Sequence, residues 1–194
     1  MRFAISPSPF AICYNANMQE YVTDAVVLAK RANGEFDARY ALFTKKFGKM
    51  TGRAKSSRKI TSKLAGHLEP GSVVKIRFIE KTCVQIVDVL KVARIAISLG
   101  NLAALDRLIP EMEADEPLWR QISEEPFSWL AVIKSLGWDP GEALCAGCGR
   151  KDISHFFIPR QEFFCEACLF RGASRDVSKS RSDEVSLIRI RNQE

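Results

Sequence analysis

Short apolar runs with a period of two follow one another from Tyr21 to Leu90, and each predicts a strand. Tyr21 to Arg31, with its valines and Leu28, and Phe36 to Thr44 form the first two. Between them stands Asn33-Gly34, a pair that tolerates two successive positive φ angles, so a hairpin is predicted there. Phe47 to Lys55 gives a third, strongly basic strand, and Leu64 to Leu68 a short helical turn. Ser72 to Glu80 and Cys83 to Leu90 complete the set, with alternation clearest at Val74, Ile76 and Phe78. Five short strands with a helical element between the third and fourth describe an OB-fold barrel.

After Lys91 the period changes to that of a helix. Ile95, Leu99, Leu102, Leu105 and Leu108 line one face of a helix or a broken pair, with Gly100 as the interruption. Phe127, Leu130, Ile133, Lys134 and Leu136 predict another, preceded by Pro126 and stopped by Gly137. Ser174 to Ser182 is polar and is expected to be flexible, and Val185, Leu187, Ile188 and Ile190 suit a closing strand or helix equally. The expected class is α+β: an OB-fold barrel over residues 19–90, then a small helical domain over 91–194 carrying a four-cysteine zinc ribbon at 145–168. Residues 1–18 are expected to be an extension with no assigned function, with Met18 as an alternative start. Pro7 and Pro9 interrupt that stretch before a secretory core could form.

The candidate chemistry is concentrated in four thiols. Cys145-x-x-Cys148 and Cys165-x-x-Cys168 stand sixteen residues apart. Each two-residue gap lets both sulfurs of a pair face one point, and the separation suits a short hairpin, so one structural zinc is the leading reading. Paired disulfides and an iron–sulfur cluster are the alternatives. With four protein sulfurs bound, no position is left for water or substrate, and such an ion holds structure. Cys13 and Cys83 lie far from the cluster and are expected to be buried apolar thiols. Reduced thiols without an export signal point to the cytoplasm.

Of 194 residues, 46% are hydrophobic, ordinary for a globular chain, and no apolar run reaches the ~18 residues of a membrane helix. The formal charge of +6 favours an acidic partner, but its distribution says more. Between Asp37 and Glu69 no acidic residue occurs, while Arg39, Lys45, Lys46, Lys49, Arg53, Lys55, Arg58, Lys59 and Lys63 all do. The run falls on the strand-two and strand-three side of the expected barrel, a face OB-folds use for oligonucleotides, and it is interleaved with Tyr40, Phe43 and Phe47 as candidate stacking surfaces. Nucleic-acid binding is therefore favoured over a face that only confers solubility. Catalytic signatures are absent: there is no phosphate-binding loop, His67 and His155 stand in no metal or triad spacing, and Glu111, Glu113, Asp115 and Glu116 read as a solvated patch around a helix end. The expectation is a binding protein with no small-molecule substrate and no membrane partner.

The order of these features resembles the bacterial recombination mediator family RecO. The resemblance runs through Thr23 to Leu28, Gly34-Glu35-Phe36-Asp37 and Leu42-Phe43-Thr44, and is most specific at Phe47-Gly48-Lys49 with Arg53-Ala54-Lys55. Ser62-Lys63-Leu64-Ala65-Gly66, Leu68-Glu69-Pro70 and Leu136-Gly137-Trp138 before the first cysteine pair extend it. The chain departs from the family at Ser56, where glycine is usual, and at Gly71, where an aromatic is frequent. Its helical segment and its tail after Cys168 are short, which implies reduced partner surfaces. The resemblance implies binding of single- and double-stranded DNA and annealing of complementary strands. It also implies action with RecR to load the RecA recombinase onto strands coated by single-strand binding protein. Two other classes fit the residues alone: a zinc-ribbon RNA-binding or ribosome-associated protein, and an adaptor whose ribbon docks protein.

Overall fold

In the computed structural model, β1 (Gln19–Asn33), β2 (Asp37–Thr44), β3 (Gly48–Ala54), β4 (Ser72–Glu80) and β5 (Val84–Arg94) close into a barrel of order β1-β2-β3-β5-β4. The structure describes residues 19–80, 83–123, 126–170 and 186–190. The expected extension with Cys13, the polar stretch Ser174 to Ser182, and Val185 lie outside them. β1 makes closure possible because its first part pairs with β4 and its second with β2, the two overlapping at Ala25 and Val26, with a bulge between Val27 and Ala29 just beyond the overlap. β3 and β5 meet in parallel through Gly52–Ala54 and Val84–Ile86. This is the five-stranded OB-fold barrel that the alternation predicts.

Inward residues fill the barrel: Ala25, Val27, Tyr40, Leu42, Met50, Val74, Ile76, Phe78 and Ile86 are buried together, and Leu68 joins them. Leu68 arrives on the expected single helical turn, its N–H donating to the Leu64 carbonyl. The outer face of β1 and β2 is also covered. Val26, Leu28, Ala41 and Phe43 pack against Leu102, Leu105, Ile109, Leu118, Trp119 and Ile122 of the helical segment. Burial on both faces explains the unbroken apolar run from Tyr40 to Phe43.

Three helices make that cover. α1 (Leu99–Leu108) starts at Ser98, whose hydroxyl accepts from the Asn101 N–H. Gly100 therefore lies in its first turn and interrupts nothing, correcting the expected break. α2 (Glu116–Ser123) begins at Asp115, whose carboxylate accepts from the Leu118 N–H, so part of the expected acidic patch is a helix start. α3 (Trp129–Ser135) ends as expected at Gly137, where Gly137 N–H reaches the Lys134 carbonyl and Trp138 N–H the Ile133 carbonyl, a paired C-terminal cap.

A second sheet of order β7-β6-β8 follows, from β6 (His155–Phe157), β7 (Glu162–Phe164) and β8 (Leu187–Arg189), with α4 (Glu166–Phe170) after β7. The closing segment is thus a strand. Phe156, Phe157, Phe163, Phe164, Ile188 and Ile190 share a core with Ala104, Leu108 and Ile133, joining ribbon to helices.

One turn and one strand end differ from expectation. Asn33 pairs with Asp37, and only Gly34 of that pair has positive φ, 77°. The hairpin loop is therefore three residues, Gly34-Glu35-Phe36, and not a two-residue turn centred on Asn33-Gly34. β5 continues past Leu90 to Arg94, with Ser72 opposite Arg94. Ser56 adopts φ 53°, the left-handed region that glycine would take without strain, and its N–H is held by the Asp37 carboxylate at 2.7 Å.

Candidate nucleic-acid interface and metal centre

The nine cations, which share one acid-free run of sequence, do not lie together on the barrel. β2 and β3 run antiparallel, so residues at the β2–β3 turn stand a strand's length from those at the β1–β2 turn and after β3. Eight residues of β2 put roughly 25 Å between the two groups.

At the β2–β3 turn the cations are engaged by the protein itself. Lys45 pairs with Glu116 of α2 at 3.3 Å, and the Lys46 ammonium donates to the Val22 carbonyl at 3.3 Å. Lys49 is turned inward: its side chain is 11% exposed, its Nζ donates to the Asp106 carbonyl at 2.6 Å, and its own carbonyl accepts from Met112 N–H. Lys49 is a clasp between barrel and α1, and this corrects its expected place on an exposed phosphate-binding face. Asp106 is shared with Arg31, whose guanidinium reaches it at 2.6 Å. Gly48 belongs to the same junction. A Cβ there would lie 2.1 Å from the Glu113 carbonyl oxygen, so the Phe47-Gly48-Lys49 motif serves close packing of the barrel against the chain after α1.

The other end is open. Arg39 stands on the outer face of β2 between Arg31 of β1 and Arg53 of β3, its partners in register. Arg53 is held by Asp37, with Nε to carboxylate 3.0 Å. The Ser56 N–H first, and Arg53 second, keep the Asp37 carboxyl below its ordinary range. After β3 the chain turns back to the hairpin tip: Arg58 N–H donates to the Phe36 carbonyl and the Arg58 guanidinium to the Gly34 carbonyl at 2.7 Å. Arg39, Lys55, Arg58, Lys59 and Lys63 are exposed, and among the described residues none of the five forms an ion pair. These five, like Lys46 at the other end, can meet phosphate without first breaking an ion pair.

The expected stacking rings do not face solvent. Tyr40 and Phe43 are fully buried, and Phe47 packs edge-on against Tyr21 and Phe78. Among the described residues Phe36, at the tip of the hairpin, is the exposed ring, at 45%. Its place in a Gly-Glu-Phe loop was the available signal, since a ring at a three-residue tip has no strand neighbours to cover it.

The ribbon gathers Cys145, Cys148, Cys165 and Cys168 so that their sulfurs lie within 4.8 Å of one another. None of the four is in a disulfide. Cys145 precedes a tight knuckle in which Gly149 N–H donates to its carbonyl, and Ala146 N–H donates to the Phe163 carbonyl, tying that knuckle to β7. Cys165 follows β7 directly and Cys168 lies in α4. The Cys148 to Cys165 separation is 3.7 Å, close to the ~3.8 Å edge of a tetrahedron with metal–sulfur bonds near 2.3 Å. Cys165 N–H donates to Cys145 Sγ, and the Arg150 guanidinium reaches Cys148 and Cys165 at 3.4 and 3.7 Å. Beside that guanidinium the Cys148 thiol is drawn down to about 6, while Cys168, crowded by Cys165 and Cys148, is pushed up to about 12. Sulfurs this close resist ionising together unless a cation stands among them. The donor set thus fits a metal ion, held by Cys145, Cys148, Cys165 and Cys168.

The remaining sequence candidates are structural. His67 Nδ1 accepts from the Lys91 N–H, and His155, kept neutral chiefly by burial, shares a 2.8 Å contact with the Ser154 hydroxyl. Cys83 is exposed, correcting its expected burial: it stands at the start of β5, before the strand enters the barrel. Among the described residues no helix is long and apolar enough to cross a membrane.

Residues 18–95, the barrel, match the family model described as Recombination protein O N terminal. A curated relative, the DNA repair protein RecO of Syntrophobacter fumaroxidans, is 28% identical over 153 residues. The match takes in 66% of this chain and 61% of that relative, so the chain spans less than two thirds of the relative's length. Family model and relative agree, and the chain is similar to the RecO family through its barrel and over about two thirds of its length.

Proposed function

We propose that the protein is a DNA-binding recombination mediator in DNA repair that anneals complementary single strands and helps load recombinase onto strands coated by single-strand binding protein. The observation that carries the reading is the set of exposed cations Arg39, Lys55, Arg58, Lys59 and Lys63, outside any ion pair, on a RecO-type OB-fold barrel, with Arg58 and Lys59 gathered at the β1–β2 hairpin tip. Lysine and arginine there neutralise phosphates without reading sequence, which lowers repulsion between two strands while most bases remain able to pair. The work is promotion of an encounter and forms no covalent bond, so the protein is proposed not to be an enzyme and to need no ATP. It would act in the cytoplasm at the nucleoid, on single- and double-stranded DNA, with RecR and single-strand binding protein as partners. The metal is proposed to be one structural zinc per chain, since four thiolates at tetrahedral separation suit zinc and leave no site for a reactant.

Replacing Arg58 and Lys59 together by alanine tests the location of binding. The double variant is expected to bind single strands of every sequence more weakly and to show a shallower dependence of affinity on salt, by about 0.7 per lost phosphate contact. Titrations at several salt concentrations that match the parent would place the binding face elsewhere. Tight binding to structured RNA with none to DNA would favour the RNA-binding class instead.

A further inference from the structure

We infer that Phe36 is a stacking platform for one unpaired nucleobase, so that the β1–β2 hairpin tip, and not the outer strand face, distinguishes single-stranded from duplex nucleic acid. The inference rests on the nucleic-acid reading above and names the recognition element within it. Phe36 is a large aromatic ring 45% exposed at the end of the barrel that also carries the exposed cations. Exposure of such a ring on a tip costs hydration free energy and contributes nothing to either core, since Phe36 belongs to neither the barrel cluster nor the helical one.

Its surroundings match a nucleotide in both halves. The ring lines a groove of about 360 Å³ with Arg58, Lys59, Ile60 and Glu35, at the low end of the ~300–1,000 Å³ of small-ligand clefts. Ile60 is fully exposed beside it, a second apolar surface left open to a ligand. The Lys59 ammonium lies 5.0 Å from the Phe36 ring centroid, and the Arg58 guanidinium is fixed to the Gly34 carbonyl. A nucleotide carries its phosphate next to its base, so a ring flanked by two cations meets base and phosphate at once. Glu35 adds an acceptor that a base amino group could use, and it disfavours a second phosphate in the same groove. A base paired within a duplex keeps its faces covered by its neighbours and cannot lie on the ring, whereas any unpaired base can. Stacking of this kind tolerates every sequence because every base has a π-face.

The test compares Phe36→Ala and Phe36→Trp with the parent on three probes: a single-stranded oligonucleotide, the same strand with abasic sites, and its duplex. Phe36→Ala is expected to weaken binding to the intact single strand about 10-fold, with the salt slope and duplex affinity unchanged. Phe36→Trp is expected to restore it. The parent should prefer the intact over the abasic strand, and Phe36→Ala should bind the two alike. Equal single-strand affinity of Phe36→Ala and parent, or equal losses on single strand and duplex, would overturn the inference. A parent that binds no single strand on any probe would instead overturn the nucleic-acid reading itself.

Discussion

Cys148→Ser is expected to strip the protein of its metal and to unfold the ribbon while the barrel stays folded. Cys148 is the exposed member of the four, whereas Cys145, Cys165 and Cys168 are part of a hydrophobic core. Serine at position 148 therefore removes a ligand without opening a cavity, and the loss reads directly on the ion. Ribbons of this size draw much of their folding free energy from the metal, ~10–16 kcal/mol in isolated zinc-finger peptides. Two three-residue strands and a five-residue helix cannot replace it. Trp138, whose ring lies 5.2 Å from Phe156, reports the change through its fluorescence. The barrel core contains no ribbon residue, so binding through Arg58 and Lys59 should persist. Elemental analysis should find one zinc per chain in the parent and none in the variant. No zinc in parent protein prepared without chelator would refute the assignment of the metal.

Lys49→Ala is expected to destabilise the protein by about 2 kcal/mol and to leave DNA binding unaltered. The side chains of Lys49 and Asp106 are both about nine-tenths buried, and removing one partner of a buried pair is costly because the other remains desolvated. Here Arg31 still holds Asp106, so the loss falls below the ~3–5 kcal/mol of a wholly orphaned charge. A denaturant titration gives the stability, and the salt dependence of DNA binding gives the other half. If stability is unchanged but the salt slope falls by one phosphate contact, Lys49 faces the ligand and the clasp is misassigned.

Lys49 also marks where the sequence stops being informative. The cysteine site was legible because a two-residue gap is local geometry, the same whatever lies around it. The barrel was legible because strand alternation reports one buried face, and Val74, Ile76 and Phe78 report it cleanly. Grouping nine cations needs register, which places Lys45 and Lys46 at the opposite end of β2 from Arg58 and Lys59 although a dozen residues separate them. Tyr40 and Phe43 looked available for stacking because the contacts that bury them, the barrel interior for one and α1 and α2 for the other, are long-range and invisible in the strand itself. α2 is not legible in the sequence beyond its acidic start because its eight residues hold three buried apolar side chains, too few for a period to emerge beside Asp115 and Glu116. β8 was ambiguous because its pairing with β6 joins residues about thirty positions apart.

Mediation of strand pairing is measured most directly as the rate at which two complementary oligonucleotides, coated with single-strand binding protein and labelled with fluorophore and quencher, form duplex. Acceleration is expected without ATP or added metal, declining as salt rises if the cations of the β1–β2 end screen phosphate repulsion as proposed. A rate at saturating protein and low salt no faster than that of the coated strands alone would contradict it.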